Sequence, residues 1–172
     1  VLHIGGWHFT AANFQTLNPV FIMILTPFFV WLWDNWKKQP SAAGKFAAGL
    51  VFAGLSYMWM ALPGMLYGTN GRVSPFWLVG SWFIVEIAEM LISPIGLSVT
   101  TRLAPKAFRS QMMSLWFLAD ATGQAINSQI VKYYSSKTEV AYFLAVGIVS
   151  VLFGVVMFFF TKKIHNLMAD AC

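Results

Sequence analysis

SPFWLVGSWFIVEIAEMLISPIGLSVTT, running from Ser74 to Thr101, spans 28 residues and carries only two charged side chains, Glu86 and Glu89. At about 1.5 Å of rise per residue, a helix this long exceeds the roughly 30 Å hydrocarbon core of a bilayer. A barrel strand needs only about 10 alternating residues, and backbone groups in lipid must pair within their own segment, so the run reads as a transmembrane helix. Four similar runs accompany it, with short connections: Asn13 to Trp36, Ser41 to Tyr67, Ser110 to Tyr133 and Val140 to Lys163. The fold class that follows is all-α integral membrane, with five transmembrane helices.

Composition leads to the same place. The chain has 172 residues, 58% hydrophobic and 10% charged, against about 25% charged in a soluble domain. A soluble domain of this size buries only about 70% of its chain surface, too little to hide 16 Phe, 8 Trp and 9 Met. The net charge of +5 does not point to nucleic acid, because Lys and Arg punctuate the apolar runs instead of forming a basic face. The single cysteine, Cys172, excludes an internal disulfide and a thiol metal site. A start at Val1, without methionine or a charged leader, is read as the sign of a fragment.

The loops orient the runs. Lys37, Lys38 and Lys45 flank the first turnaround, Arg102, Lys106 and Arg109 the third, and Lys162 with Lys163 follow the last run. The other side carries Arg72, Lys132 and Lys137. The excess of basic residues on the first side places it in the cytosol, so Val1 is expected outside and Cys172 inside a cell membrane. Trp31, Trp33, Trp36 and Trp77 fall near run ends, as an aromatic belt would. Five spans are awkward for a free-standing transporter built from sets of six, so a further span is expected upstream. Small residues four apart (Gly44 and Ala48, Gly49 and Ala53, Ala119 and Gly123, Ala121 and Ala125) are expected to let helices approach closely.

Function is sought where polarity is expensive. A carboxylate at mid-helix costs on the order of 2.5–3.5 kcal/mol on the insertion scale, and three acids lie deep in these runs: Glu86, Glu89 and Asp120. Glu86 and Glu89 are three apart, and Asp120 reaches a depth similar to Glu89 on the next, antiparallel helix. Each is either a packed, protonated acid or a cation or proton site in a watery cavity. Pro19, Pro27, Pro63 and Pro94 lie within the runs. Pro94, with Gly96 two residues on, frees the carbonyl of Met90 beside Glu89, so a bending point adjoins an intramembrane acid. Asn18, before Pro19, offers both donor and acceptor amide atoms.

Certain motifs carry a family likeness: Phe14-Gln15-Thr16-Leu17-Asn18-Pro19; Glu89-Met90-Leu91-Ile92-Ser93-Pro94-Ile95-Gly96-Leu97-Ser98; Leu103-Ala104-Pro105-Lys106; and Met112-Met113-Ser114-Leu115-Trp116-Phe117-Leu118. Their order and spacing resemble the eighth, tenth and eleventh helices of the proton-dependent oligopeptide transporter family, over nearly the whole chain, with a bacterial di- and tripeptide transporter the nearest kind. The resemblance implies a major facilitator fold in which residues 1–172 supply helices eight to twelve of the C-terminal half-bundle. It implies that Asn18 hydrogen-bonds the peptide backbone, that Glu89 receives the peptide amino terminus, and that Trp116 shapes a side-chain pocket. Asp120 stands where a small polar residue, often serine, is expected to line the same cavity. Glu86 is read as a proton-coupling acid or a packing acid, and Pro94 with Gly96 as the place where the helix bends.

The implied function is proton-coupled import of di- and tripeptides by alternating access, without catalysis, metal or cofactor other than protons. The partners are the peptides, the bilayer, and the N-terminal half with helix seven, which would hold the E-x-x-E-R cluster and the cation for the peptide carboxylate. Two other readings stay open: an intramembrane hydrolase using Glu89 and Asp120 as an acid dyad, and a membrane scaffold whose acids are merely packed.

Overall fold

The computed structural model describes residues 2–4, 7–9, 14–37, 39–68, 73–135 and 137–169. A short hairpin pairs β1 (Leu2–Ile4) antiparallel to β2 (Trp7–Phe9), a departure from the all-helical expectation. Five helices follow: α1 (Leu17–Asn35), α2 (Ala42–Tyr67), α3 (Phe76–Leu103), α4 (Arg109–Ile130) and α5 (Glu139–Ala169). They overlap the five expected spans, with α5 running on to Ala169, six residues beyond the expected end at Lys163. Asn13, Lys38, Arg72, Val1 and Cys172, used above for boundaries and orientation, lie outside the described residues.

Local chemistry sets several ends. The Ser41 side chain caps α2 by accepting from the Gly44 backbone N–H at 3.2 Å. Gly68, at φ +74°, ends α2 in a left-handed conformation that a Cβ would strain. α3 stops at Leu103, ahead of Pro105, whose ring disfavours helical backbone in the residue before it. Pro19 falls in the first turn of α1, where no helix bond is lost, so it is not a bending point; Pro27, Pro63 and Pro94 are interior.

Among the described residues four helices are apolar and long enough to cross a membrane, and α4 is not one of them. That corrects the expectation that all five runs qualify by hydropathy. α4 includes Ser114, Asp120, Thr122, Gln124, Asn127 and Ser128, and none of its residues is fully buried. Its polarity suits a helix that lines a cavity rather than one wrapped in lipid.

α2 is the spine. It packs antiparallel along α5, where a Cβ on Gly54 would come within 2.6 Å of the Gly147 carbonyl oxygen and one on Gly154 within 3.0 Å of the Ala47 carbonyl oxygen. Ala47, Gly54 and Ala61 repeat every seven residues on α2, as Gly147 and Gly154 do on α5, and all five are buried. Seven-residue spacing keeps the small residues on one seam and lets the backbones meet. On the opposite face α2 meets α3: a Cβ at Gly49 would press on Ile92, Ser81 donates to the Ser56 carbonyl, and Trp59 donates from Nε1 to the Trp77 carbonyl at 3.0 Å. The expected four-residue pairs fare unevenly. Gly49 is a contact glycine, whereas Gly123 has nothing within 4 Å among the described residues and Ala119, Ala121 and Ala125 are exposed, so none of these α4 positions forms a close helix crossing among the described residues.

The aromatic belt is likewise divided. Trp31 and Trp36 are exposed near the end of α1, but Trp77 packs on Trp59 with centroids 4.9 Å apart, and Trp33 carries the Lys45 ammonium 4.7 Å above its ring. α1 joins α3 in parallel register, through Phe21 against Phe83 and Thr26 against Met90. A Cβ on Gly44, at the start of α2, would meet Thr161 near the end of α5 at 3.7 Å. This antiparallel stacking collects Lys37, Lys45, Arg102, Arg109, Lys162 and Lys163 at one end of the bundle.

Candidate functional site

α3 and α4 enclose a cleft of about 690 Å³. From α3 it is lined by Glu89, Ser93 and Leu97, each four residues after the last, with Ile92 and Pro94 beside them. From α4 it is lined by Trp116, Asp120 and Gln124, again at intervals of four, with Phe117 and Ala119. A four-residue step advances a helix by little more than one turn, so each set forms a continuous stripe. The volume is that of an ordinary small-molecule pocket, and its wall mixes apolar faces with a few convergent polar groups.

The Trp116 indole fixes the cleft's shape. It lies on the backbone of Gly96 so closely that a methyl group there would fall inside the ring. On the other side it meets Phe46 of α2 edge to face, with centroids 6.0 Å apart. Gly96, expected with Pro94 as a bending point, therefore has a packing reason as well: a glycine is needed where the ring touches the helix. α3 continues as helix through Pro94 without interruption. The 3-10 turn Lys106–Phe108 reverses the chain between α3 and α4, which brings Asp120 to the level of Glu89 as depth counting on the sequence predicts.

Glu89, Pro94, Trp116 and Asp120 are thus gathered at one cleft, with Gly96 directly behind Trp116. Asn18 and Glu86 are not. Asn18 is half-buried near the start of α1. The parallel register of α1 and α3 sets it level with Gly80 to Trp82, about eight residues or ~12 Å outward from Glu89. Glu86 is enclosed by the bundle at 0% exposure, and among the described residues neither carboxylate oxygen has a hydrogen-bond partner. Ser93 and Gln124 were not singled out from the sequence. Both were reachable, since each lies one turn along the same helix face from an acid already identified.

The arrangement offers two carboxylates, a hydroxyl, an amide and an indole face to one occupant. Such a set suits an ammonium group attached to a compact polar backbone with an apolar side chain. Among the described residues no cluster of His, Cys, Asp and Glu has the makings of a metal site.

Known proteins resemble this chain closely. The profile of the PTR2 (POT) family matches residues 2–149. The di-/tripeptide transporter of Lactococcus lactis subsp. lactis (strain IL1403) is 47% identical over 165 residues, which cover 95% of this chain and 33% of that protein. The peptide transporter YePEPT of Yersinia enterocolitica is 38% identical over 125 residues, covering 70% of this chain and 24% of that protein. Among solved structures, a mutant of a POT peptide transporter in complex with alafosfalin superposes with a TM-score of 0.90 at 48% identity, over 98% of this chain and 35% of that one. A POT family transporter in complex with 5-aminolevulinic acid gives 0.84 at 40% identity, over 95% and 34%. The chain therefore spans about a third of the length of the relatives it matches. With its helices in the POT arrangement and most of its length within the family profile, this multi-pass membrane chain belongs to the POT family of peptide transporters, which are not enzymes.

Proposed function

We propose that this chain forms the C-terminal-half wall of the substrate site in a transporter that imports di- and tripeptides with protons by alternating access. The single observation that carries the reading is the cleft that gathers Glu89, Trp116 and Asp120 from two antiparallel helices. In it Glu89 receives the peptide ammonium, Trp116 borders the side-chain pocket, and Asp120 with Gln124 lines the polar wall. Asn18 serves the peptide backbone from a position about 12 Å further out, a separation that an extended tripeptide of roughly 10–11 Å bridges only together with the reach of the Asn18 and Glu89 side chains. Among the described residues no Lys or Arg lines the cleft, so the peptide carboxylate takes its partner from helices beyond this chain. The exposed faces of Leu115, Phe117 and Leu118 on α4 await those helices or lipid. The basic end of the bundle faces the cytosol.

Relatives named as di-/tripeptide transporters support the peptide as substrate. The polar wall of α4 supports a watery path in which the rocking of one half against the other exposes the site to each side in turn. The test is Glu89→Gln in the purified full-length protein, with peptides bearing a free or an N-acetylated amino terminus. Loss of the charge-assisted bond, worth about 1.5–3 kcal/mol, is expected to weaken free-amine peptides on the order of ten- to a hundredfold and N-blocked analogues far less. Equal losses for both would remove Glu89 from the ammonium site.

A further inference from the structure

Among the described residues Glu86 and Ser56 are the largest fully buried side chains, Glu86 at 0% exposure. Neither Glu86 oxygen meets a hydrogen-bond donor among the described residues. The side chain sits mid-way along α3, about one turn outward of Glu89 on the same helix. An ionised carboxylate with neither water nor donor is the least tolerable state of this side chain, whereas a neutral carboxyl is borne far more easily.

The titratable groups on the helices packed around α3 are occupied elsewhere. On α1, Asp34 is exposed at the basic end of the bundle. On α2, Lys45 lies over Trp33 and donates to Gln39, Tyr57 packs towards Phe143 of α5, and Tyr67 is exposed at the far end. On α4, Arg109 and Asp120 are exposed, the latter in the cleft. Packing alone does not explain an acid here, since Leu or Met would fill the space without leaving polar atoms unpaired.

We propose that Glu86 is a proton-carrying site of this half-bundle, distinct from the peptide site and read out through Glu89. The carboxyl keeps its proton while the helices are closed around it. When α3 rearranges at Pro94, where the Met90 carbonyl lacks its helix bond, water reaches the carboxyl. The O–H bond then breaks, the proton passes to water or to the Glu89 carboxylate, and Glu86 remains as a hydrated carboxylate. Closure in that form is opposed by desolvation, so the two charge states of Glu86 select different conformations. A peptide ammonium on Glu89 lets both acids be charged in the open state, which links substrate to proton release.

This inference rests on the proton-coupled reading above, and reconstituted full-length protein separates the two. Wild type is expected to accumulate peptide against its gradient when an inward proton gradient is imposed; failure to do so overturns the transport reading and this inference with it. Glu86→Gln is expected to keep peptide counterflow, which needs no net proton movement, while gradient-driven accumulation falls at least tenfold and the proton-to-peptide ratio falls by about one. Glu86→Met, close in volume and apolar, carries the same expectation if the Gln variant fails to reach the membrane. Accumulation, pH profile and proton-to-peptide ratio all at wild-type values in either variant overturn the role of Glu86 and leave the transport reading standing.

Discussion

Gly54→Ala and Gly44→Ala put one methyl group each into the same α2–α5 interface, and they are expected to part company. At Gly44 the new Cβ would rest 3.4 Å from the Ser41 hydroxyl oxygen and 3.7 Å from Thr161, an ordinary fit. At Gly54 it would lie 2.6 Å from the Gly147 carbonyl oxygen and 2.9 Å from the Val151 backbone nitrogen. Backbone atoms cannot swing aside, so α2 and α5 must separate by about 0.8 Å to restore normal contact, and a gap of that size forfeits a quarter to a half of each neighbouring dispersion contact. Overpacking of this kind costs about 1–3 kcal/mol, offset by up to about 1 kcal/mol because alanine favours a helix over glycine. The alanine gain applies to both variants, so Gly54→Ala is expected to fall about 1–3 kcal/mol below Gly44→Ala, which is itself neutral or gains a few tenths. Heating the two detergent-solubilised full-length variants beside wild type and following the monodisperse fraction by size exclusion makes the comparison. Gly54→Ala surviving to the same temperature as Gly44→Ala would refute backbone contact at this crossing.

Three further outcomes are expected. Trp116→Ala opens the side-chain pocket and removes the ring that rests on Gly96 and Phe46, so relative affinities among dipeptides change; a uniform loss for every peptide with poor detergent stability would make Trp116 a packing residue only. Asn18→Ala is expected to lower peptide affinity by about 1–3 kcal/mol through an unsatisfied backbone group while leaving expression intact; unchanged affinity in equilibrium binding would return Asn18 to a structural role. Trp59→Phe keeps an aromatic ring against Trp77 but deletes the 3.0 Å bond to its carbonyl, with an expected loss of about 0.5–1.5 kcal/mol in thermal stability and none in peptide selectivity; an altered selectivity would mean that the α2–α3 contact communicates with the cleft.

The sequence alone determined four of the helices, because a lipid solvent demands long apolar segments with internally paired backbones, and that demand is written in composition and length; the more polar α4 lies where the fifth run was expected but does not meet the hydropathy criterion. It also drew attention to Glu89 and Asp120, since acids stand out against so apolar a background, while Trp116 was picked out by the family resemblance of its motif. What it did not determine were the faces. Spacing by four suggested Ala119 with Gly123 as a contact, but only the crossing of α2 with α5 reveals that the close seam runs through Ala47, Gly54 and Ala61 at intervals of seven. Gly96 illustrates the same limit: beside Pro94 it reads as a bend, and only the approach of α4 reveals the indole resting on it. Glu86 and Glu89 lie three residues apart in one helix, and the sequence read only Glu89 as a substrate contact, leaving Glu86 as a proton-coupling or a packing acid. Tertiary packing separates them, placing Glu89 on a cleft and sealing Glu86 among side chains without a partner among the described residues. Contact between helices depends on rotation about each axis and on the offset along it. Neither quantity is encoded in a single segment, because lipid and a neighbouring helix present almost the same apolar surface to an apolar face.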